Sequence, residues 1–128
     1  MKPARHPLRV DEYLQHILDA IARIAEYTTG IKDASALDRA WMARDAVIRN
    51  IEIIGEAANK IAKADPAFIG QYAEINWEGI RGMRNKLVHD YFEIDIELVW
   101  ITVKTDLPEL SQRVRAVLDA RQPSPKAG

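Results

Sequence analysis

The chain contains 128 residues, 48% hydrophobic and 29% charged, which is typical of one globular domain and excludes an intrinsically disordered chain. It has no cysteine, which excludes disulfide frameworks, thiolate metal sites and cysteine nucleophiles. Its net charge of −1 excludes a basic coat over the whole surface, so any contact with nucleic acid must come from a local patch.

Two long segments in the first half carry apolar residues at helical spacing. The first runs from about Leu8 to Thr28, and Gly30 is a natural stop after it. The second runs from Ser35 or Asp38 to Ala64. It ends at Asp65-Pro66, because the residue before a proline is disfavoured in the helical region. Both segments therefore predict amphipathic helices.

Two further helices are predicted in the second half. Asn76 is a candidate N-cap for a helix from Trp77 to about Tyr91, and Asp95 for one that continues to about Ala120. Pro108 should kink or split the last helix. No segment alternates like a strand. The sequence thus predicts an all-α, antiparallel bundle of four to five helices, with a single domain over residues 7–120 and flexible tails at 1–6 and 121–128.

No apolar run approaches the roughly 20 residues that a membrane helix needs. The N-terminal ten residues carry three basic side chains without an apolar stretch, unlike a secretory signal. We therefore expect a cytoplasmic protein that makes no contact with a membrane.

One concentrated group of potential cations lies in the third predicted helix, where Arg81, Arg84, Lys86 and His89 fall within nine positions. Arginine offers a planar, permanently charged fork that matches phosphate oxygens. Histidine titrates near neutrality and can transfer a proton. The group therefore indicates phosphate binding or phosphodiester cleavage, although an arginine-rich helix with one histidine is also typical of a solvated face.

The spacing of these residues raises a geometric difficulty. On one continuous helix, Arg81, Asn85 and His89 would form one ridge, whereas Arg84 and His89 would be separated by about 140°. Two solutions are open. The helix could end near Val88 and release His89, or a symmetry mate could supply half of the site.

Metal-free cleavage of RNA needs a base for the 2′-hydroxyl and an acid for the leaving oxygen. The histidines are His6, His16 and His89, of which the first lies in the tail and the second in the middle of a helix. A two-fold dimer that brings two copies of His89 together would supply both groups.

Other residues have competing interpretations. Glu52 and Glu56 lie on one helix face and could bind a metal, but they are more typical partners for Arg49 and Lys60. We expect no metal and no cofactor. The three tryptophans, at positions 41, 77 and 100, are expected in the core or an interface rather than in base stacking.

The stretch Arg84-Asn85-Lys86-Leu87-Val88-His89-Asp90-Tyr91 matches R-x4-H-x-Y, and so resembles the signature of HepT-type toxins of the HEPN superfamily. Three further blocks resemble the same family: residues 46–58, Trp77 with residues 82–85, and residues 99–108. R-x4-H alone is a weak signal, but the blocks in order are a strong one. The resemblance covers about Pro7 to Val117.

The resemblance implies a helical homodimer that acts as a metal-independent endoribonuclease toxin on RNA. It implies catalytic roles for Arg84 and His89, and we expect Arg81, Asn85 and Lys86 to support RNA binding. Its implied partner is a nucleotidyltransferase antitoxin of the MntA type, which attaches AMP to Tyr91 and could form a hetero-oligomer with the toxin. Because Glu52 and Glu56 lie in the family block 46–58, the resemblance adds the option that they orient Arg84 or the antitoxin. Two alternatives are a non-catalytic nucleotide- or RNA-binding partner of a minimal nucleotidyltransferase, and a helical adaptor.

Overall fold

The structure, a computed structural model, describes residues 10–90 and 93–121. A two-stranded antiparallel sheet is formed by β1 (Val88–Asp90) and β2 (Glu93–Ile94), and a π-helical turn spans Thr102–Asp106. The α-helices in these residues are α1 (Val10–Tyr27), α2 (Ala34–Arg39), α3 (Trp41–Ala64), α4 (Pro66–Gln71), α5 (Trp77–Arg81), α6 (Met83–Leu87), α7 (Ile96–Ile101) and α8 (Leu107–Arg121).

The long helices form an all-α bundle, as predicted. Helix α1 packs along α3 and α8. Arg121 at the end of α8 is paired with Asp11 at the start of α1, with 2.6 Å between Nε and Oδ1. At the other end, Ile24 of α1 and Leu107 of α8 line the same cavity. These contacts show that α1 and α8 are antiparallel. Their apolar faces and that of α3 supply most of the buried core.

Helix α3 runs antiparallel to α5 and α6, because Arg81 contacts Asn59 of α3 whereas the later Arg84 contacts the earlier Glu52. Gly55 in the middle of α3 allows this close packing, because a Cβ atom there would lie 3.3 Å from the carbonyl oxygen of Ile80 and 3.7 Å from that of Arg81. The sequence predicts close helix packing as the reason for a glycine inside this helix, and the structure confirms it.

The first half differs from the sequence expectation in two places. The second predicted helix is divided at Ala40 into α2 and α3. A further short helix, α4, follows directly after α3, beginning at Pro66. Proline suits the first position of a helix, where its missing N–H needs no partner. Asp65 caps α4 by accepting a hydrogen bond from the N–H of Phe68 at 3.3 Å.

Both predicted N-caps of the second half are confirmed. The side chain of Asn76 accepts a hydrogen bond from the N–H of Gly79, and that of Asp95 accepts one from Leu98, each at 3.1 Å. The third predicted helix is shorter than expected, because it is interrupted at Gly82 and ends at Leu87. The chain after Leu87 then turns into β1 and pairs with β2, a small sheet that no alternation in the sequence indicates.

The predicted interruption before Pro108 is confirmed. The chain passes from α7 to α8 through the π-helical turn, and Pro108 then occupies the second position of α8. In a continuous α-helix, proline lacks the N–H donor for the carbonyl group four residues earlier, and its ring clashes with that group. The wider π-helical turn lies where this clash would occur and makes room for the ring. The hydroxyl of Thr102 donates to the carbonyl oxygen of Leu98 at 2.8 Å within this region.

The predicted tails lie outside the described residues, except that Arg121 still belongs to α8. None of the helices in the described residues is long and apolar enough to cross a membrane. Trp77 is buried and Trp100 half-buried, whereas Trp41 is 64% exposed and is not part of the core. His16 is exposed on α1.

Candidate active site

Arg84 lies on α6 and points toward α3. Its Nε donates to Oε2 of Glu52 at 3.2 Å, and its Nη1 makes a long contact of 3.5 Å with Oδ1 of Asn85. The other oxygen of Glu52, Oε1, lies 3.5 Å from Nη1 of Arg49. One carboxylate is therefore shared by two guanidinium groups, and this arrangement opposes a metal ion at Glu52. The pairing with Arg49 and the contact with Arg84 considered from the sequence are both present.

Arg81 lies on α5 and is also held by α3. Its Nε donates to Oδ1 of Asn59 at 2.7 Å. Asn59 is neutral, so this hydrogen bond orients the guanidinium without neutralising it. Arg49, Arg81 and Arg84 thus lie on one surface formed by α3, α5 and α6, which we call the arginine face.

His89 lies beyond the end of α6, on β1. Val88 has extended backbone angles, and its N–H donates to the carbonyl oxygen of Arg84. The carbonyl oxygen of Leu87 accepts a hydrogen bond from the N–H of Asp95 at 2.8 Å. Leu87 and Val88 are buried while His89 is exposed. Two ways to bring Arg84 and His89 into one site were open from the sequence, and the structure shows the first of them, a helix that ends near Val88.

The structure does not bring all predicted site residues together. Lys86 lines a groove of about 400 Å³ between α5–α6 and α7–α8, together with Thr102 and Asp106. It is therefore on a different side of α6 from the contact between Arg84 and Glu52. Within the described chain, no hydrogen bond joins His89 to Arg84. Tyr91 lies outside the described residues.

Two residues of the arginine face were missed as site residues in the sequence. The sequence predicts Arg49 only as a partner of Glu52, and it predicts no role for Asn59. The available signal was their spacing, because positions 49, 52 and 59 differ by three and seven and share one face of α3. Across residues 10–90 and 93–121, no group of three or more histidine or acidic side chains is arranged to hold a metal ion.

Comparison with known proteins identifies a family. The profile of the HepT-like family, described as "Ribonuclease HepT-like", matches residues 17–117, which include both the arginine face and the R-x4-H motif. No solved structure shows a significant match.

Several curated proteins are similar over most of the chain. "Putative RNase TTE0752" of Caldanaerobacter subterraneus subsp. tengcongensis is 34% identical over 83% of this chain and 91% of its own length. "Probable ribonuclease HepT" of Thermococcus cleftensis is 41% identical over 77% of this chain and 86% of its own length. "Gamma-glutamylcyclotransferase and putative RNase MJ0434" of Methanocaldococcus jannaschii is 38% identical over 84% of this chain, but only 46% of that protein is matched.

Proposed function

This chain belongs to the HepT-like ribonuclease family, and we propose on that premise that it is an endoribonuclease toxin that cleaves RNA without a metal ion. The observation that carries the proposal is the arrangement of the R-x4-H motif. The Nε atom of Arg84 is bound by Glu52, and the Arg84 side chain is 40% exposed. His89 is exposed to solvent beyond the end of α6. This arrangement offers one group for a phosphate and another for a proton.

The proposed reaction is attack of the RNA 2′-oxygen on the adjacent phosphorus. The 2′-hydroxyl proton passes to a base, the bond from phosphorus to the 5′-oxygen breaks, and an acid protonates that leaving oxygen. Arg84 binds the phosphate oxygens and stabilises the charge that develops on them. Each chain brings one His89 to the motif, so we assign the base and the acid to the two copies of His89 in a homodimer.

RNA would extend from Arg84 across the arginine face. The hydrogen-bond partner of Arg81, Asn59, is uncharged and so does not neutralise the guanidinium group. Arg81 is therefore suited to bind a second phosphate. Asn85 is exposed next to Arg84 and can donate to a phosphate oxygen. Lys86 lies in the separate groove and would contribute through longer-range attraction.

The regulation implied by the R-x4-H-x-Y motif is transfer of AMP from ATP to Tyr91 by a nucleotidyltransferase antitoxin of the MntA type. Tyr91 follows His89 by two residues in the sequence. A phosphodiester on the tyrosine would add negative charge to the motif, which we expect to compete with the phosphates of RNA for Arg84.

The test of cleavage uses purified, unmodified protein with single-stranded RNA and EDTA. We expect cleavage by the wild type and its loss in His89→Ala and Arg84→Ala. His16→Ala is the matched control, since His16 is an exposed histidine on α1, and it should keep full activity. Binding without cleavage by the wild type would instead favour the non-catalytic RNA-binding partner.

The test of regulation is the intact mass of the protein, expressed alone and together with a candidate nucleotidyltransferase. We expect an added mass in whole AMP units that peptide fragmentation places on Tyr91. Addition at another residue, or none when the transferase is active, would refute this part of the proposal.

A further inference from the structure

We propose that Glu52 is a positioning residue that orients Arg84 for the scissile phosphate and holds Arg49 beside it as a further phosphate-binding residue, in addition to Arg81. The inference rests on the proposed function and deepens it, because it adds residues of α3 to a site so far assigned to the motif.

The first observation is the way Arg84 is held. Its Nε donates to Glu52 at 3.2 Å, and its one other side-chain hydrogen bond in the described chain is the long one of 3.5 Å from Nη1 to Asn85. A guanidinium group carries five N–H donors in a rigid plane. Binding through Nε fixes that plane and leaves most of the terminal N–H donors for a phosphate, which arginine can bind with two parallel hydrogen bonds.

The second observation is that this ion pair is open to solvent. The side chains of Arg84 and Glu52 are 40% and 35% exposed. Ion pairs that are this open to solvent contribute little to stability, because water and salt screen them. The pair is therefore better explained by the orientation that it gives to Arg84.

The third observation concerns Arg49. Its side chain is 66% exposed, and its Nη1 lies 3.5 Å from Oε1 of Glu52. Two guanidinium groups on the two oxygens of one carboxylate are necessarily close neighbours. A single carboxylate neutralises only one of them, so a net positive charge remains. The expected ligand is a polynucleotide rather than a single phosphate ion, because its successive phosphates can each pair with one of the two adjacent cations.

The charge of Glu52 makes the inference testable. Its removal makes the site more positive, so electrostatics alone predicts that Glu52→Gln binds RNA at least as tightly as the wild type. Loss of orientation predicts slower cleavage, because a small misplacement of a catalytic group can reduce the rate by up to about 100-fold. The charge change should therefore leave KM unchanged or lower it, whereas the loss of orientation should lower kcat.

The first experiment measures kcat and KM for RNA cleavage by Glu52→Gln, with Glu56→Gln as the control. Glu56 is exposed one turn further along α3, and its substitution makes the same charge change. We expect kcat of Glu52→Gln to fall about 10-fold or more without a rise in KM. The kcat of Glu56→Gln should equal that of the wild type. Equal kcat values for the two variants would overturn the positioning role.

The second experiment measures the affinity for a single-stranded RNA at several salt concentrations. Arg49→Gln should bind more weakly and reduce the slope of log affinity against log salt by about 0.7, the value for one phosphate contact on a single strand. Arg23→Gln removes an exposed arginine on α1 and should leave the slope unchanged. Equal slopes for the two variants would overturn the role of Arg49.

A third measurement does not depend on cleavage. The ¹H–¹⁵N signal of the Arg84 Nε–H group, identified by its loss in Arg84→Lys, reports directly on the contact with Glu52. We expect it to shift in Glu52→Gln and to stay in place in Glu56→Gln. If the wild type fails to cleave RNA, the proposed function is refuted. An unchanged Nε–H signal in Glu52→Gln would refute the positioning role itself.

Discussion

Gly55 offers the sharpest test of how the arginine face is assembled, because it controls the distance between α3 and α5. The substitution Gly55→Ala places a Cβ atom 3.3 Å from the carbonyl oxygen of Ile80. That contact is too close for the existing packing, so α5 must move by a few tenths of an ångström. Since Arg81 and Arg84 follow in the chain, we expect the movement to disturb their contacts with α3.

The expected change in the free energy of unfolding combines two opposing effects. Alanine favours a helix over glycine by about 1 kcal/mol, whereas overpacking a close contact costs about 1–3 kcal/mol. The net result for Gly55→Ala is a loss of about 0–2 kcal/mol. Gly70 provides the matched control. It lies in α4 with no atom within 4 Å of an added Cβ, so Gly70→Ala should gain up to about 1 kcal/mol.

The assay is urea denaturation of both variants followed by circular dichroism, together with the rate of RNA cleavage. We expect Gly55→Ala to be less stable than Gly70→Ala and to cleave RNA more slowly than the wild type. Equal stabilisation by the two substitutions would refute the argument, because it would mean that α3 and α5 are not in tight contact.

Three further outcomes are expected. Asp95→Ala removes the N-cap of α7 and should lower the free energy of unfolding by about 1 kcal/mol, measured by urea denaturation. Asn50 is buried with no partner for its Oδ1 in the described chain, so Asn50→Leu should be neutral or stabilise by about 1 kcal/mol in the same assay. Arg81→Ala should weaken RNA binding more than Lys86→Ala, as measured by fluorescence anisotropy, because Lys86 lies in the separate groove. Equal losses of RNA affinity in the two variants would contradict the assignment of RNA binding to the arginine face rather than to the groove that contains Lys86.

The long helices and their ends could be predicted because local signals determine them. Apolar residues at intervals of three and four define α1 and α3. The caps at Asn76 and Asp95 need only side chains that accept from a backbone N–H three residues later. The sheet could not be predicted in this way. Its two strands are too short to show alternation, and the hydrogen bond beside them, from the N–H of Asp95 to the carbonyl oxygen of Leu87, joins residues eight positions apart.

The site was predictable only in part, for a similar reason. The motif points to Arg84 and His89 from neighbouring positions in the sequence. Glu52, however, precedes Arg84 by 32 residues, and the contact between them depends on the packing of α3 against α5 and α6. Spacing along one helix can show that Glu52 and Arg49 share a face. It cannot show that a second helix brings another arginine to the same carboxylate.

The end of α6 links the spacing of the motif to its proposed chemistry. On a continued helix, residues five positions apart diverge by about 140°, and Arg84 and His89 could not serve one phosphate within one chain. Leu87 and Val88 are both buried, which fixes the chain where the helix gives way to β1. His89 is thereby released from the helical geometry that constrains Arg84. The apolar pair between the two motif residues therefore determines where the histidine can act.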